Sequence, residues 1–288
     1  MTKRAKEVGQ FSVASARAKL EALRRVLREM GAVVVGFSGG VDSTFLLAVA
    51  VQELGDRALA ILIDAPMMPR WEIQEAQQLA GRLGARLRIL QLDPLWVEGF
   101  RKNPPDRCYH CKRFLFGAVK EAAEKEGIRW VADGTNADDL RQVRPGRKAL
   151  KELGIRSPLA EAGLTKSEIR ELSRTLGLST WSKPSNACLA TRIPFNQEIT
   201  VERLRRIERA ETAVADLLPG VFRVRDHGEL ARLEVEVKVF ARFAEANFRR
   251  EVARRIQSAG FRHVCLDLMG YRPNEPEKTD LELEREGS

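Results

Sequence analysis

The segment at residues 38–43, SGGVDS, constrains the fold of this chain more than any other sequence feature. It follows an apolar run at 32–37, which indicates a buried parallel strand, and it precedes an apolar run at 44–51, which indicates a helix. A serine- and glycine-rich turn between strand and helix directs backbone N–H groups and the helix dipole at one point, where an anion can bind. The segment lacks the Gly-Lys-Ser/Thr of a Walker A loop. The sequence therefore predicts a different kind of phosphate-binding loop.

Each residue type in this loop has an expected task. Gly39 and Gly40 let the main chain approach a ligand closely, and the hydroxyls of Ser38 and Ser43 add donors. Asp42 is expected to bind Mg²⁺ or to fix the loop, because Mg²⁺ binds through one or two carboxylates together with substrate phosphates. An aspartate that only caps the loop, without contacting a metal, is the alternative.

Up to about residue 195, strands and helices alternate. The sequence predicts strands at 32–37, 58–63, 86–91 and 128–132, and helices at 14–30, 43–54, 71–82, 107–126 and 165–176. Thr165 and Glu168 fit a capping box at the start of the last helix. This alternation predicts an α/β fold, with a parallel sheet covered by helices on both faces. Ligands of such sheets bind beyond the carboxyl ends of the strands, where the loop, Asp64 and the segment 133–139 fall.

After Pro194 the pattern changes. The sequence predicts a helix at 200–217, strands at 220–225 and 230–239, a helix at 241–257 and a strand at 261–268. This order predicts a smaller C-terminal α+β domain. The expected division is 1–195 for the nucleotide domain and 196–273 for the second domain. The polar, mostly acidic segment 274–288 is expected to lack order.

Composition limits the class of protein and of partner. The 288 residues include 49 Lys and Arg against 40 Asp and Glu, a net charge of +9. Such a balance suits nucleotides, phosphorylated small molecules or RNA, although a solvated basic surface is the alternative. No apolar run is long enough to span a bilayer, and the first residues lack the apolar core of a signal peptide. A cytoplasmic enzyme is expected.

Three cysteines indicate a metal or redox site. Cys108 and Cys111 form a CxxC that enters a predicted helix, a metal half-site or a redox pair. Together with Cys188 they could hold a [4Fe–4S] cluster with one iron free of protein ligands. Zinc would need a fourth ligand, which His110 could supply, and unliganded thiols are the third possibility. Cys265 lies in an apolar run and is expected to be a core residue.

The segment DGTNADD at 133–139 closes a predicted strand at the same sheet edge as the loop. Gly134 permits close approach to a ligand, and the neighbouring carboxylates could bind metal or ribose, although a plain Asx turn needs the same residue types. The residues predicted to bind ATP are Ser38, Gly39, Gly40, Asp42, Ser43, Asp64, Gly134 and Thr135.

SGGVDS resembles the PP-loop of the ATP pyrophosphatases, which have an adenine nucleotide alpha hydrolase-like fold and split ATP between its α- and β-phosphates. More of the chain resembles one family of these proteins. In order, SGGVDS, DRCYHCK, DGTNADD, RPGRKAL, SPLAEAGLTKSEIR and KPSNACLATRIP resemble the LarE family of ATP-dependent sulfurtransferases. The resemblance continues into RVRDHGELARLEV and GYR, so it covers nearly the whole chain.

The resemblance implies a reaction. Enzymes of that family adenylylate a carboxylate of a pyridinium biscarboxylate mononucleotide and replace it with a thiocarboxylate, in biosynthesis of the nickel-pincer nucleotide cofactor. Some members sacrifice the cysteine at the position of Cys188, and others carry the additional CxxC and use a [4Fe–4S] cluster. This chain has all three cysteines, so it resembles the cluster type, with Cys108, Cys111 and Cys188 as metal ligands. ATP and Mg²⁺ are the other expected cofactors, and Cys188 and Asp42 the expected catalytic residues.

Arg223, Arg225 and Arg272 lie in family-like segments of the second domain. A guanidinium pairs bidentately with phosphate oxygens, so these residues are predicted to bind the substrate phosphate. The expected partners are the pyridinium mononucleotide, sulfide or another sulfur donor, and further copies of this chain. The protein is not expected to bind membranes or nucleic acids. Whether Cys188 is a cluster ligand or a sacrificed donor stays open.

Two rival functions stay open at this point. A PP-loop tRNA thiolation enzyme would explain the basic charge and the three cysteines, but the sequence has no recognisable RNA-binding appendage. A non-catalytic nucleotide-binding or iron–sulfur protein would not need an intact SGGVDS with Asp42. Pyrophosphate release with and without a pyridinium mononucleotide would discriminate among the three.

Overall fold

The computed structural model describes residues 13–141, 145–184 and 186–272. These residues form two compact units. The first comprises the described residues up to 65 together with 70–92 and 108–186, and the second comprises 66–69, 93–107 and the described residues from 187 onward. The division into functional domains at residue 195 stays a prediction. The segment 274–288 lies outside the described residues.

A parallel sheet forms the centre of the first unit. Its strands are β1 (Val33–Phe37), β2 (Ala58–Asp64), β3 (Arg86–Gln91) and β4 (Trp130–Ala132), in the order β3-β2-β1-β4. Val33 pairs with Ala58 on one side and with Trp130 on the other, and all neighbouring strands are parallel. The three valines of β1 are fully buried, as expected for a central strand covered on both faces. The predicted parallel α/β fold is confirmed.

The helices follow the predicted alternation closely. They are α1 (Val13–Met30), α2 (Val41–Leu54), α3 (Arg70–Arg82), α4 (Glu98–Arg101), α5 (Arg107–Lys125), α6 (Pro145–Glu152), α7 (Pro158–Glu161), α8 (Lys166–Thr175), α9 (Val201–Val214) and α10 (Ala246–Ser258). Of these, α4, α9 and α10 belong to the second unit. Throughout the described ranges, no helix has both the length and the apolar character that crossing a bilayer requires.

Helix α2 fixes the phosphate-binding loop because it is a core helix. Every residue from 43 to 50 is buried, and a helix that is apolar nearly all round packs on all sides. The helix begins at Val41, directly after the loop, and its carboxyl end closes at Gly55. The loop therefore lies between two rigid elements, β1 and α2.

The second unit contains a mixed sheet covered by helices. Its strands are β5 (Phe222–His227), β6 (Leu230–Val235) and β7 (His263–Leu266), in the order β5-β6-β7. The β5–β6 pair is antiparallel and the β6–β7 pair is parallel. Buried residues of α9 and α10 join those of β5 and β6 in one core. The smaller C-terminal sheet domain predicted from the sequence is present.

The prediction places the end of one strand too late and the start of the following helix too early. The expected strand 230–239 ends at Val235, and 3-10 helix occupies Val237–Ala244 before α10 begins at Ala246. Val235 is the last residue of β6 with a partner on β5, and β7 ends earlier, opposite Leu233. Beyond that point no strand among the described residues pairs with the alternating apolar segment, and Val237 is 66% exposed.

Candidate functional site

The loop after β1 closes on itself through its two serines. Ser38 N donates to Ser43 Oγ at 3.2 Å, and the two hydroxyl oxygens lie 3.1 Å apart. Gly40 is the N-cap residue of α2 and supplies no side-chain cap. Backbone N–H groups of a first helical turn lack intrahelical partners, so those of α2 are available to an anion. The predicted strand–loop–helix arrangement is present here, and the binding of an anion by this loop stays a prediction.

Two glycines are required where the chain passes close to its neighbours. Gly39 has a φ of +69°, and a Cβ there would lie 2.9 Å from Ala76 Cβ. A Cβ on Gly134 would lie 3.1 Å from Ser43 N. The loop after β4 thus packs directly on the first turn of α2, and both glycines shape the candidate site.

Asp42 has two polar partners from distant segments. Its carboxylate accepts from Lys166 Nζ and, at 3.5 Å, from Asn136 Nδ2. Lys166 was not among the predicted site residues. It is the first residue of α8, so the TKSE capping box is the sequence signal that could have placed it at a helix start.

The capping box of α8 is confirmed. Glu168 N donates to Thr165 Oγ1 at 3.4 Å, and Thr165 N donates to Glu168 Oε2 at 2.9 Å. Lys19 Nζ of α1 adds a bond to Glu168 Oε1 at 2.7 Å. Burial alone would raise the pKa of Glu168, but the bonds from Lys19 and Thr165 outweigh it, so the pKa lies below its usual value. This network fixes the helix start that carries Lys166.

The loop after β4 uses most of its own polar groups internally. Asp133 is buried and accepts from the hydroxyls of Thr135 and, at 2.6 Å, Ser157. Asn136 Oδ1 accepts from Asp138 N at 2.9 Å, and Asp138 Oδ2 accepts from Lys166 N at 2.8 Å. Asp133 and Asp138 therefore hold the loop in shape, as an Asx-type turn would.

A cavity of about 560 Å³ in the first unit gathers most of the predicted nucleotide residues. The predicted residues that line it are Ser38, Gly40, Asp42, Ser43, Gly134, Thr135 and Cys108. Lys112 and Arg147 also line it, although sequence reasoning missed both. Lys112 Nζ lies 4.0 Å from Asp133 Oδ2. A cavity of this size, with cations and a backbone anion site, suits a phosphorylated ligand.

Asp64, also predicted to bind ATP, lies outside this cavity. It ends β2 and pairs with Arg70, whose Nη2 also donates to Ala65 O at 2.8 Å. Asp64 is not among the residues that line the cavity. Its predicted role in ATP binding stays a prediction.

Lys183 is a further cation at the phosphate-binding loop. Its Nζ donates to Gly39 O at 3.2 Å and to Glu75 Oε2 at 2.7 Å. Arg170 of α8 in turn donates to the carbonyls of Trp181 and Lys183 at 2.6 and 2.8 Å. Helix α8 thus supports the loop twice, through Lys166 and through the segment that Arg170 holds.

The four cysteines lie in different settings, and none is in a disulfide. Cys108 is exposed and Cys111 half-buried, both in the first turns of α5. Cys188 is half-buried and belongs to the second unit. Cys265 is only partly buried, against the expectation of a core residue, because β7 is an edge strand; burial raises its pKa. Across the described residues, no three His, Cys, Asp or Glu side chains form a group that could hold a metal ion.

Two of the predicted phosphate-binding arginines lie two positions apart on β5 but have different partners. Arg223 is 6% exposed; its Nη2 donates to Tyr271 OH at 3.1 Å, and its Nη1 is buried without a partner. Burial, reinforced by the nearby charge of Arg192, lowers the pKa of Arg223. An anion beside Arg223 would relieve both effects.

Arg225, by contrast, is already engaged. Its Nε and Nη2 pair with the two carboxylate oxygens of Glu234 at 2.5 and 3.1 Å. Its Nη1 donates to Thr191 O at 2.8 Å. Arg272, the third predicted arginine, is exposed and follows Tyr271. The binding of substrate phosphate by these three residues stays a prediction.

The parallel sheet, the SGGVDS loop between β1 and α2, and the cavity beside it define a PP-loop protein. Comparison with known proteins agrees: the family model described as NAD synthase matches residues 16–110. The glutamine-hydrolyzing GMP synthase of Aeropyrum pernix is 27% identical over 68% of this chain and 42% of its own.

Other relatives match over most of their length. The uncharacterised protein slr1717 of Synechocystis sp. is 40% identical over 88% of this chain and 95% of its own. The pyridinium-3,5-bisthiocarboxylic acid mononucleotide synthase of Lactiplantibacillus plantarum is 34% identical over 88% of this chain and 92% of its own. This chain belongs to the LarE family, of which the L. plantarum enzyme is a member. The family resemblance predicted from the motifs is confirmed.

Proposed function

We propose that this protein is an ATP-dependent sulfurtransferase that converts a carboxylate of a pyridinium biscarboxylate mononucleotide to a thiocarboxylate, in nickel-pincer cofactor biosynthesis. The observation that carries the proposal is the alignment with the L. plantarum synthase, which spans nearly the whole of both chains. The PP-loop geometry supports it independently, because a carboxylate is a poor electrophile and adenylylation gives it a good leaving group.

In the first step, an oxygen of the substrate carboxylate attacks the α-phosphorus of ATP, and the bond to the β-phosphate oxygen breaks. Pyrophosphate leaves with the electron pair. The N–H groups at the start of α2 and the hydroxyls of Ser38 and Ser43 would bind the departing phosphates. Lys166 and Lys112 supply positive charge nearby, which stabilises charge that develops on the leaving group.

Asp42 would hold Mg²⁺ together with phosphate oxygens of the nucleotide. The donor set fits this ion, since Mg²⁺ commonly takes one or two protein carboxylates and completes its shell with phosphates and water. Bound there, Mg²⁺ would neutralise phosphate charge. Asp42 is paired with Lys166 in this structure, so this residue is poised to exchange one cation for another.

In the second step, a sulfur nucleophile attacks the carbonyl carbon of the acyl adenylate, and AMP leaves with the electron pair of the broken C–O bond. If the nucleophile is the Cys188 thiolate, cleavage of its Cβ–S bond then releases the thiocarboxylate and leaves dehydroalanine; if it is sulfide from a donor, the thiocarboxylate forms directly. We assign Cys188 to this step as a catalytic residue. A [4Fe–4S] cluster on Cys108, Cys111 and Cys188 stays a prediction from the sequence; Cys108 and Cys111 belong to the first unit and Cys188 to the second.

Arg223 is proposed to bind the substrate phosphate. The support is its buried Nη1, which has no hydrogen-bond partner, in a neighbourhood that also holds the charge of Arg192. Arg225 and Arg272 were predicted for the same role. For Arg225 the support is weaker, since Glu234 and Thr191 take its donors.

The reaction is tested by supplying the purified protein with ATP and pyridinium-3,5-biscarboxylic acid mononucleotide. Pyrophosphate and the thiocarboxylate product are measured, with Asp42→Asn as the control. Pyrophosphate formation that depends on the mononucleotide supports the proposal. Pyrophosphate formed instead on addition of unfractionated tRNA would favour a tRNA thiolation enzyme. No pyrophosphate with either substrate would favour a non-catalytic protein.

Sedimentation velocity on the same sample tests the predicted homo-oligomer.

The sulfur source is tested on anaerobically purified protein after reconstitution with iron and sulfide. A cluster predicts about four iron per chain, the content of one [4Fe–4S] group, lost on any single Cys→Ala change among the three. A sacrificed Cys188 predicts one product per chain and a mass loss of about 34 Da, the H₂S removed as cysteine becomes dehydroalanine. Full single-turnover activity in iron-free Cys108→Ala/Cys111→Ala protein would exclude the cluster route.

A further inference from the structure

Cys188 lies at the start of a short 3-10 turn, Leu189–Arg192, within the second unit. Its carbonyl oxygen accepts from Thr191 N at 3.0 Å, from Thr191 Oγ1 at 2.9 Å and from Arg192 Nη1 at 3.2 Å. Leu189 N donates to Met67 O at 2.9 Å, also in the second unit. The main chain around Cys188 is therefore held at several points, while its side chain stays half-buried.

Arg192 is the centre of this arrangement, although it is only 2% exposed. Besides Cys188 O, its Nη1 donates to Ala187 O at 2.6 Å. Its Nε and Nη2 pair with Glu211 Oε1 and Oε2 at 3.0 and 3.1 Å. Glu211 also accepts from Val224 N at 3.0 Å, so the pair is anchored to β5. A guanidinium is a rigid fork, and here it joins the cysteine turn to the sheet.

A second buried pair reaches the same turn. Arg225 donates to Thr191 O at 2.8 Å while its other nitrogens pair with Glu234 of β6. Removing such ion pairs from water carries a desolvation cost that apolar packing would avoid. The donors are directed at carbonyls on and around one cysteine, which indicates that the pairs determine the conformation of this turn.

We propose that Arg192 is a positioning residue for Cys188, with Arg225 as its second support. By fixing the carbonyls of Ala187 and Cys188, Arg192 sets the orientation of the Cys188 side chain. The chemical purpose of that orientation rests on the proposed function: a nucleophile displaced by about 1 Å can lose on the order of 100-fold in rate. The family motifs alone do not distinguish an arginine that positions Cys188 from one that binds phosphate. The hydrogen bonds of Arg192 to Ala187 O, Cys188 O and Glu211 indicate the positioning role.

The test compares the alkylation rate of Cys188 with that of Cys265 in the same full-length molecules. Iodoacetamide-modified peptides are quantified by mass spectrometry in Arg192→Lys, which keeps the charge but loses the fork, and in Thr191→Val, which removes one donor to Cys188 O. Arg203→Lys is the matched control. Arg203 forms an ion pair with the fully buried Asp226 in the same unit, and its other donors reach Gln197 and Glu198.

We expect Cys188 to be alkylated severalfold faster in Arg192→Lys and in Thr191→Val, with the rate at Cys265 unchanged and Arg203→Lys like wild type. Thiocarboxylate formed per pyrophosphate should fall in the first two variants, with mononucleotide-dependent pyrophosphate formation retained. An unchanged rate at Cys188, or an equal rise at Cys265, would overturn the proposal. If Arg192→Lys does not fold, Thr191→Val and Glu211→Gln decide. If wild-type protein makes no thiocarboxylate, the proposed function fails, yet the alkylation rates still test the positioning.

Discussion

Lys166 and Asp42 are 124 residues apart in the sequence, and the ammonium group of Lys166 donates to the Asp42 carboxylate at the first turn of α2. A Walker A loop carries its own lysine, whereas this loop receives a cation from α8. The ion pair compensates the negative charge of the Asp42 carboxylate, which lies in the same first turn of α2 as the anion-binding N–H groups. Ligand binding at the loop should therefore be sensitive to both residues.

Asp42→Asn is expected to abolish pyrophosphate formation while leaving the thermal midpoint nearly unchanged. The amide keeps the volume of the carboxylate but cannot neutralise Lys166 or bind a divalent cation. Pyrophosphate release in a coupled assay and thermal unfolding check the two halves of this expectation. Undiminished pyrophosphate formation would exclude the proposed role of Asp42.

Lys166→Met should weaken ATP binding, because it removes the cation that pairs with Asp42 and leaves this cavity-lining carboxylate without its ion partner. The loss of one hydrogen bond to a charged group corresponds to about 1.5–3 kcal/mol. Isothermal titration with ATP measures it, and Lys151→Met, an exposed position on α6, controls for net charge. The same affinity in both variants would show that Lys166 does not contribute to nucleotide binding.

Gly39→Ala should destabilise the loop by about 1–3 kcal/mol, the usual strain of a non-glycine residue in the left-handed region. The new Cβ would also lie 2.9 Å from Ala76 Cβ. Gly40→Ala is the matched comparison, since Gly40 has a φ of −79° and its Cβ would meet only Ser38 Oγ at 3.4 Å. Denaturant unfolding of both variants gives the free energies. An equal loss for the two would contradict the conformational argument.

Arg223→Ala should weaken binding of the pyridinium mononucleotide by about 1–3 kcal/mol, with ATP affinity hardly changed. The phosphate would lose a donor that has no other partner among the described residues. Titration with each ligand separately measures the difference, with the exposed Arg254→Ala as control. Similar losses for both ligands would indicate that Arg223 stabilises the fold instead.

Glu168 predicts how stability depends on pH. Because its folded pKa lies below the usual 4.5, the stabilisation it contributes is present above the unfolded pKa and is lost as pH falls through the folded pKa. Glu168→Gln should therefore lower the thermal midpoint at pH 7, and the difference from wild type should shrink as the pH falls below about 4.5. A difference that stays constant into acid would count against the ionised capping box.

The loop and its frame could be predicted from the sequence because they depend on local patterns. An apolar run before SGGVDS and another after it are sufficient to predict a strand, an anion-binding turn and a helix. The capping box at Thr165 was likewise readable from residue types three positions apart. What could not be predicted was which distant segment Lys166 faces, since that depends on how α8 packs.

The arginines show a second limit of sequence reasoning. Arg192, Arg223 and Arg225 are alike in type and lie in similarly charged segments, so the sequence assigned phosphate binding to the latter two and nothing to the first. Only the tertiary structure separates them, through Glu211 and Glu234, which engage Arg192 and Arg225 and leave a nitrogen of Arg223 without a partner.

Lys19 of α1 bonds to Glu168, whose cap holds the start of α8 and thereby Lys166. Lys19, near the beginning of the described chain, is therefore linked to the phosphate-binding loop through two side-chain hydrogen bonds, its own to Glu168 and that of Lys166 to Asp42. A shortened protein that starts at β1 would lose this contact, and it would also lose the fully buried Leu23 and Leu27 of α1 and so uncover the face of α2 against which α1 packs. Deleting α1 is therefore expected to disturb the phosphate-binding loop, and not merely to remove a peripheral helix.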